Sequence, residues 1–554
     1  MTRKEQKLKV IPLGGLDQIG KNFTVFEYGN DIIVVDAGMA FPDDEMLGVD
    51  VVIPDMTYLK KNFEKVRAIF VTHGHEDHIG AIPYLLREIN VPVYGTKLTL
   101  GLIDVKLKEH KLGKVKMNVK KPGDVVKIGG FTMELIRVNH SIPDAVAYAI
   151  KTPAATVVHT GDFKVDFTPI DGEPIDLARF AELGKEGVDL LLSDSTNVKR
   201  PGFTMSESTV GETFEEIFRH AESRIIIASF ASNVDRVQQI VNAAYMNGRK
   251  VAFSGRSMVN VTQVAVENGY LKIPEGLLID TRDVDRYPEN EICIVTTGSQ
   301  GEPMSALARM SKSEHRQLQI HDGDLVILSS SPIPGNEKSV TKVINNLMMR
   351  GANVIYQSLA DVHVSGHACQ EELKLMLSLV KPKNFMPVHG EYSFLKTHGE
   401  LASQLGMDQN HIFIMENGHV LEVSQSGAKL GKPVPSGQIM VDGLGVGDVG
   451  NIVLRDRKRL SEDGLIIIVI TLSKDTGKVV SGPDIVSRGF VYVRESEELM
   501  NGARIVVEKA LEKLMEKEVR EWSSIKNEVK DSLKDYLYQN TKRNPMILPI
   551  ITEA

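Results

Sequence analysis

One short stretch of this chain carries an unusual density of metal-binding side chains: His73-Gly74-His75-Glu76-Asp77-His78, at the end of a predicted strand. Neutral imidazoles and carboxylates are good ligands for zinc or manganese, and histidines two positions apart can converge on one ion. Asp77 and His78 then point elsewhere and could hold a second ion. The plain alternative is a polar surface loop, but three of the fifteen histidines in the chain fall within these six residues. Two metals need more ligands than one loop supplies. Candidates stand where other predicted strands end: His140 in Val138-Asn139-His140-Ser141 and Asp162 in His159-Thr160-Gly161-Asp162. Either alone reads as an ordinary loop residue. Together with the first loop they form an ordered set.

The elements that must position these residues are short strands with tight turns. Phe23 to Tyr28 and Asp31 to Asp36 bracket a Gly29-Asn30 turn, the pattern of a hairpin. Arg67 to Thr72 reads as a strand, followed by a polar loop and an amphipathic helix over Gly80 to Glu88. Further strands are expected within Val125 to Ile150, at Thr156 to His159, and at Leu190 to Ser193, which ends in Asp194. From about Met205 the pattern changes to strand–loop–helix repeats, with strands at Arg224–Ser229, Lys250–Ser254, Ile292–Thr297 and Leu325–Ser329. Such alternation implies a parallel sheet with covering helices, and so an inserted α/β domain. A helix over Glu371 to Val380 and a strand over Asn384 to Val388 then lead into His389-Gly390-Glu391. Pro433 to Gly450, rich in Gly and Pro, reads as a boundary. The remainder reads as strands followed by two charged helices, Glu497 to Lys517 and Trp522 to Tyr538.

Two loops suggest a phosphate pocket. His363-Val364-Ser365-Gly366-His367 and Ser232-Asn233-Val234 both precede predicted helices. Free backbone N–H groups at a helix start, with hydroxyls beside them, suit a phosphate. Simple helix capping by Ser and Asn explains the same residues equally well. Gly15-Leu16-Asp17-Gln18-Ile19-Gly20-Lys21-Asn22 has the spacing of a nucleotide phosphate loop, but Asn22 replaces the metal-binding Ser or Thr and a strand follows. It is better read as a glycine-rich turn, which argues against an ATPase.

A chain of 554 residues is expected to form two or three domains. Charged residues at 25% and hydrophobic residues at 42% are ordinary for a soluble globular protein. The longest apolar run, Leu465 to Leu472, is too short to span a membrane and reads as a buried strand. The start, MTRKEQKLKV, lacks the apolar stretch of a secretory signal, and the two cysteines, Cys293 and Cys369, provide no disulfide framework. A cytoplasmic protein with no membrane partner is expected. The net charge of −8 argues against loose coating of nucleic acid, not against a focused basic channel, since bound divalent metals add local positive charge.

The ordered set resembles the metallo-β-lactamase fold, whose first motif is His-x-His-x-Asp-His. The chain further resembles the nucleic-acid-processing branch with an inserted β-CASP domain. Leu191-Leu192-Ser193-Asp194-Ser195, Ser365-Gly366-His367 and Pro387-Val388-His389-Gly390-Glu391 match that branch's three extra motifs. Within it, the chain is similar to the ribonuclease J family over essentially its whole length. Gly298-Ser299-Gln300-Gly301-Glu302-Pro303, Ser331-Pro332-Ile333-Pro334-Gly335 and Pro545-Met546-Ile547-Leu548-Pro549-Ile550 are among the supporting stretches.

The resemblance implies an α/β architecture: a metallo-β-lactamase αββα sandwich with an inserted β-CASP α/β domain and a C-terminal α+β domain. The implied boundaries are 1–206 and 359–432 for the sandwich, 207–358 for the insertion, 433–450 for a linker, and 451–554 for a C-terminal oligomerisation domain. It implies two Zn2+ per subunit, with Mn2+ or Mg2+ able to support activity. His73, His75 and His140 would hold one ion, Asp77, His78 and His389 the other, and Asp162 would bridge them. A histidine at position 389 is the mark of RNA-cleaving members. Two ions lower the pKa of a shared water and brace both oxygens of an in-line displacement. Asp194 would orient a ligand or water, His367 would act as general acid, and Glu391 would support the site. Ser232, Asn233, Val234, His363, Val364, Ser365, Gly366 and His367 would bind the 5′ monophosphate and nearby nucleotides. Gly48, Asp50 and Asp442 resemble a structural calcium site of some relatives. The implied activity is 5′-to-3′ exonuclease with some endonuclease action on single-stranded RNA, in a homodimer or homotetramer or in a heteromer with a paralogue. Two alternatives stand beside it. One is a thioester or lactone hydrolase of the same fold, against which the β-CASP motifs and the insertion argue. The other is a weakly active scaffold subunit: Glu371-Glu372-Leu373-Lys374 and Val441-Asp442-Gly443-Leu444-Gly445-Val446-Gly447 look closer to the less active paralogue.

Overall fold

The computed structural model describes residues 6–170, 172–302, 304–333, 336–356, 360–492, 496–517 and 519–554. Pro303, Pro334 and Gly335 of the motifs quoted above lie outside the described residues, as does the expected boundary between 358 and 359. The chain forms two compact units. One comprises Met1–Ala40 and Ile53–Gln438; the other comprises Phe41–Val52 and Ile439–Ala554.

The first unit holds three sheets, two of which pack face to face. Eight strands run in the order Gly427–Leu430, Leu421–Ser424, Leu8–Gly14, Phe23–Tyr28, Asp31–Val35, Val66–Phe70, Val93–Gly95 and Met117–Val119. Six run in the order Asn384–Val388, Leu190–Asp194, Thr156–His159, Val146–Lys151, Phe131–Arg137 and Val125–Ile128. Side chains from both, among them Phe26, Phe70, Met133, Tyr148, Leu192 and Met386, form one core. The other face of the six-stranded sheet packs on the helices Leu177–Glu186, Gln370–Val380 and Tyr392–Gln404 through Phe180, Leu183, Leu373, Leu377 and Leu401. The expected hairpin is present: Tyr28 pairs with Asp31, and Gly29 takes the positive φ (62°) that so tight a turn demands.

The insertion has the expected parallel sheet. Lys250–Ser254, Ile292–Thr296, Ile225–Ala228, Leu325–Leu328 and Asn353–Tyr356 pair in that order, every pairing parallel. A strand such as Ile292–Thr296 is buried along its whole length, as a strand covered on both faces must be.

In the second unit, Leu465–Leu472 lies between Val479–Arg488 and Met546–Glu553 and alternates half-buried and buried residues. The helices Glu497–Glu516 and Trp522–Thr541 cover one face through Val507, Leu511, Val529 and Leu533. Three features differ from expectation. Within residues 433–450, read as a linker, Val441 pairs with Val446 and Asp442 with Gly445 in a small hairpin. Asn451–Asp463 is a helix, where strands were expected; it has no buried residue, so no apolar period marked it. Met546–Glu553 is a strand after the two helices, hidden by Pro549. Proline is tolerated there because the strand lies at the sheet edge.

Candidate metal centre

Five strands deliver the site. Val66–Phe70 leads to His73, Phe131–Arg137 to His140 and Thr156–His159 to Asp162, while Leu190–Asp194 ends on Asp194 and Asn384–Val388 runs into His389. Thr156–His159, Leu190–Asp194 and Asn384–Val388 are parallel neighbours in register, with Asp194 opposite Val388. Phe131–Arg137 is antiparallel to Val146–Lys151, which is antiparallel to Thr156–His159. Four strands of this sheet thus end at one edge, the carboxyl end at which α/β folds place their ligands.

His73, His75 and His140 form one cluster and Asp77, His78, Asp162 and His389 a second, with ligand atoms within 4.8 Å of one another in each. In the first, His75 Nδ1 lies 3.0 Å from His73 Nε2 and 3.1 Å from His140 Nε2. His140 Nδ1 donates to the Gly366 carbonyl (2.6 Å), which leaves the Nε2 lone pair aimed at the cluster. Gly366 has to be glycine: a Cβ there would stand 2.7 Å from His140 Cε1. Burial and neighbouring imidazoles push His73 and His140 well below the ordinary histidine value, and burial takes His75 down to about 4. Three neutral, mutually facing imidazoles, two buried and one half-buried, are a donor set for a divalent cation.

The second cluster is charged. Asp162 Oδ2 lies 3.2 Å from His78 Nε2, 3.7 Å from His73 Nε2 and 3.8 Å from His140 Nε2, and its Oδ1 lies 3.0 Å from His389 Nδ1. Asp162 therefore faces both clusters. Burial opposes charge on His78 and His389, but Asp162 and the other carboxylates overcome it and hold both well above the ordinary value. Protons and metal ions compete for the same lone pairs, so a site that draws protons this strongly also draws a cation. His389 Nε2 is buried without a hydrogen-bond partner, although Asp77 Oδ2 is 3.2 Å away. His389 also takes a left-handed backbone (φ 56°), rare outside glycine and a sign of a position over-determined by its surroundings.

His367 stands beside this cluster. Its Nδ1 donates to Asp194 Oδ2 (2.7 Å), and Asp194 Oδ1 accepts from Thr196 N (2.9 Å) and Thr196 Oγ1 (2.7 Å). Burial works against charge on His367, yet Asp194 and Asp162 keep its affinity for a proton above the ordinary value. Glu391, expected to support the site, is exposed at the start of the helix Tyr392–Gln404 and makes no capping hydrogen bond.

Arg236, wholly buried on the helix that Asn233 caps, reaches the residue before the second candidate loop: its Nη1 donates to Val362 O (3.1 Å) and to Ser329 Oγ (2.7 Å). Asn233 Oδ1 accepts from Arg236 N (3.0 Å), so its carbonyl oxygen is committed to capping. Val234 is buried. Ser365 Oγ accepts from Asn197 Nδ2 (2.8 Å) and from His367 N (3.3 Å). Burial, Arg236 and Arg200 push His363 down to about 3, so it meets any ligand as a neutral ring.

Comparison with known proteins settles the family. The model described as "Ribonuclease J, beta-CASP domain" matches residues 222–347, and "Ribonuclease J C-terminal domain" matches 452–554. The metallo-beta-lactamase superfamily model matches 16–190, and "Zn-dependent metallo-hydrolase RNA specificity domain" matches 351–415. The chain is 47% identical over 553 residues to Ribonuclease J2 of Bacillus subtilis (strain 168), covering 100% of both chains. It is 45% identical to Ribonuclease J 1 of Streptococcus pyogenes, over 99% of this chain and 98% of that one. This chain belongs to the ribonuclease J family. A solved structure from Enterococcus faecalis V583, titled a protein of unknown function, matches with a TM-score of 0.54 at 16% identity. That match spans 76% of this chain and 100% of the other and shows the fold alone. Family, fold and donor set together make this a divalent-metal-binding protein of a metal-dependent ribonuclease family.

Within this ribonuclease J fold, several residues outside the sequence reading shape the site. Asp36, buried in a left-handed backbone (φ 61°), accepts from Thr72 N and Thr72 Oγ1 (both 2.8 Å) and lies 2.8 Å from His78 Nδ1. It turns His78 Nε2 toward Asp162. Such outer carboxylates fix the tautomer and raise ligand basicity. Asp36→Asn is expected to weaken metal binding by about 10- to 100-fold, measured by competition with a chromophoric chelator. Asn22, in the glycine-rich turn, reaches His78 Nε2 at 2.9 Å, and a strand does follow that turn. Glu372, wholly buried, accepts from Val165 N, Thr204 N and Cys369 N (each 2.7 Å) and so ties the His367 loop to the segment after Asp162. Asp36, directly after the apolar strand Asp31–Val35, carries the signal of a strand-end carboxylate; Asn22 and Glu372 need the fold to bring distant residues together.

The residues expected to hold calcium hold a guanidinium instead. Arg457 Nη2 donates to Asp442 Oδ2 (2.5 Å) and its Nη1 to Leu47 O (2.8 Å), 2.8 Å from where a Cβ on Gly48 would stand. Asp50 Oδ2 accepts from Gly443 N (2.7 Å). The donor set does not fit calcium, because a cation of the chain already sits against Asp442 and the backbone by Gly48. Adding calcium is expected to leave the thermal midpoint unchanged in a differential scanning experiment; a concentration-dependent rise would contradict this reading.

Proposed function

We propose that this chain is a two-metal phosphodiesterase on single-stranded RNA. It degrades 5′-to-3′ from 5′-monophosphorylated ends, with some endonuclease action, in RNA maturation and decay. The observation that carries the proposal is the convergence of two ligand clusters on Asp162, with the His367–Asp194 pair alongside. His73, His75 and His140 would hold one ion, Asp77, His78 and His389 the other, and Asp162 would face both. Zinc suits the imidazole-rich set, and manganese or magnesium could support activity at the carboxylate-rich one. When bound, two such ions activate a water and offset charge on the phosphate. The chain's own groups do the rest. Asp194 anchors the His367 ring, and His367 delivers a proton to the departing 3′ oxygen. Gly366 and Asp36 fix the rings of His140 and His78. Arg236 draws the 232–234 and 362–363 segments into one wall, where a terminal phosphate would meet backbone N–H groups, Ser232 and Ser365.

The domain limits that accompany this reading are a sandwich of 1–206 and 359–432, an insertion of 207–358, a linker of 433–450 and a C-terminal domain of 451–554. A homodimer or homotetramer is supported by the apolar residues that the sheet of the second unit leaves exposed, among them Val480, Leu548 and Ile550. Among the described residues no helix is long and apolar enough to cross a membrane, which accords with a cytoplasmic enzyme. A weakly active scaffold beside a paralogue is the second reading, favoured by the stretches Glu371-Glu372-Leu373-Lys374 and Val441-Asp442-Gly443-Leu444-Gly445-Val446-Gly447. The likeness to relatives named Ribonuclease J2 and Ribonuclease J 1, at 47% and 45% identity, does not separate the two readings.

The test is digestion of one RNA carrying either a 5′ monophosphate or a 5′ triphosphate. Mononucleotides are expected at least about tenfold faster from the monophosphate, the worth of one charge-assisted contact. Equal rates would contradict the phosphate pocket. No cleavage of either would favour the scaffold.

A further inference from the structure

The segment after Asp194 crosses the front of the site and is fastened at each step. Thr196 Oγ1, which donates to Asp194, lies 3.2 Å from His389 O, and Asn197 Nδ2 donates to Ser365 Oγ (2.8 Å) and His367 O (2.9 Å). Lys199 Nζ reaches Ser393 Oγ (2.9 Å). The Arg200 carbonyl accepts from Gln370 N (3.0 Å) and that of Gly202 from Glu371 N (3.1 Å). Thr204 N donates to Glu372, and Thr204 Oγ1 donates to His367 O (2.7 Å). The loop is therefore registered to the His363–His367 and His389 segments through its own backbone.

What this rigid loop presents is unusual. Phe203 is 57% exposed and Met205 50% exposed, on either side of the Thr204 that holds His367. Phe167, 66% exposed, lies next to Thr168, whose hydroxyl donates to Ser206 (2.9 Å) at the end of the same loop. Among the described residues the Arg200 guanidinium has no ion pair and no hydrogen bond, and its charge is felt at His363 in the phosphate wall. A large apolar ring held in water by an immobilised loop contributes nothing to folding. Such features beside a site mark a binding surface. An unpaired guanidinium and an exposed aromatic on one loop, here three residues apart, are the two groups by which proteins hold single-stranded nucleic acid: cation on backbone phosphate, ring under a base. The loop's hydrogen bonds to the His367 carbonyl and to Ser365 hold this surface against the segment proposed to meet RNA, which favours the strand over a protein partner.

We propose that the loop Lys199–Met205 is an RNA rim of the catalytic cleft, with Phe203 as a stacking platform for one base and Arg200 as a contact to a backbone phosphate. This rests on the RNA reading above. It adds a grip on the strand that is independent of the metals and of the terminal-phosphate wall, so it should act on internal and 5′-terminal substrates alike.

The test uses the full chain carrying Asp77→Ala, so that RNA is bound and not consumed, titrated into a fluorescent single-stranded RNA and followed by anisotropy. Phe203→Ala is expected to weaken binding about tenfold and Phe203→Trp to restore it, because stacking is worth about 1–3 kcal/mol per base. Arg200→Ala is expected to lower the slope of log affinity against log salt by about 0.7, the loss of one phosphate contact. Phe63→Ala, another exposed phenylalanine, serves as control and should change nothing. If the parent binds RNA and Phe203→Ala binds equally well, the rim is overturned while the RNA reading stands. If the parent binds no RNA, both are overturned together. Circular dichroism of each variant excludes unfolding as the cause.

Discussion

Asp162→Asn is expected to abolish RNA hydrolysis to within measurement, a loss of about 10^3-fold or more, and to lower the metal bound per chain. Asp162 is buried, and its Oδ2 lies within 3.2 to 3.8 Å of ring nitrogens from His78, His73 and His140. Among the described residues no other carboxylate lies within 4.0 Å of ring nitrogens from both clusters. An amide keeps the shape and removes the charge, so each ion would lose the only anion it shares with the other. Metal ions contribute several kcal/mol of charge stabilisation in such reactions, and about 4 kcal/mol corresponds to roughly 10^3 in rate. Native mass spectrometry of the metal-loaded protein reads the first effect and RNA digestion the second. A variant that kept both metals and its rate would show that Asp162 is a bystander.

His367→Ala should behave differently: kcat falls by about 10^2- to 10^4-fold, the range for a general acid, while metal content stays that of the parent. His367 reaches Asp194 and lies beside Asp162 at 4.0 Å, but the donor atoms of the first cluster and Asp77–His78 are complete without it. Its removal leaves the buried Asp194 Oδ2 without its hydrogen-bond donor, so a thermal melt is the necessary companion. Asp194→Asn, which keeps a hydrogen bond to the ring while removing the charge, should give a smaller loss in kcat. Parallel losses of metal and rate in His367→Ala would make His367 a ligand, as the grouping of Asp162, Asp194, His367 and His389 also permits.

The residues that gather at the site were legible because each is a chemically distinctive side chain at the end of an apolar strand. His73, His140, Asp162, Asp194 and His389 all follow that rule, and strand ends share an edge in a sheet of this kind. The insertion was legible for a similar reason, since its alternating elements leave few topologies. The supporting residues were not. Asp36 directly follows the apolar strand Asp31–Val35 and so carries the same mark, but nothing in the sequence pairs it with His78, 42 residues on. Arg236 looks like any helix-face arginine until the fold places Glu207, Ser329 and Val362 around it. The calcium expectation rested on Gly48, Asp50 and Asp442 alone and did not foresee the guanidinium that stands against Asp442. Arg457 comes from a helix with no buried residue, so no apolar period marked it, and only the folded second unit brings its guanidinium to Leu47 and Asp442.

The most direct test of the central claim is to strip the protein with a chelator, restore manganese or zinc stepwise, and follow cleavage of a 5′-monophosphorylated single-stranded RNA. The Asp77→Ala, His78→Ala double variant runs in parallel. Cleavage that is absent in the stripped protein, returns as about two metals bind per chain, and never appears in the variant is the predicted result. Metal bound to the wild-type chain without cleavage above the variant would contradict the enzyme reading and leave this chain as a scaffold for an active partner.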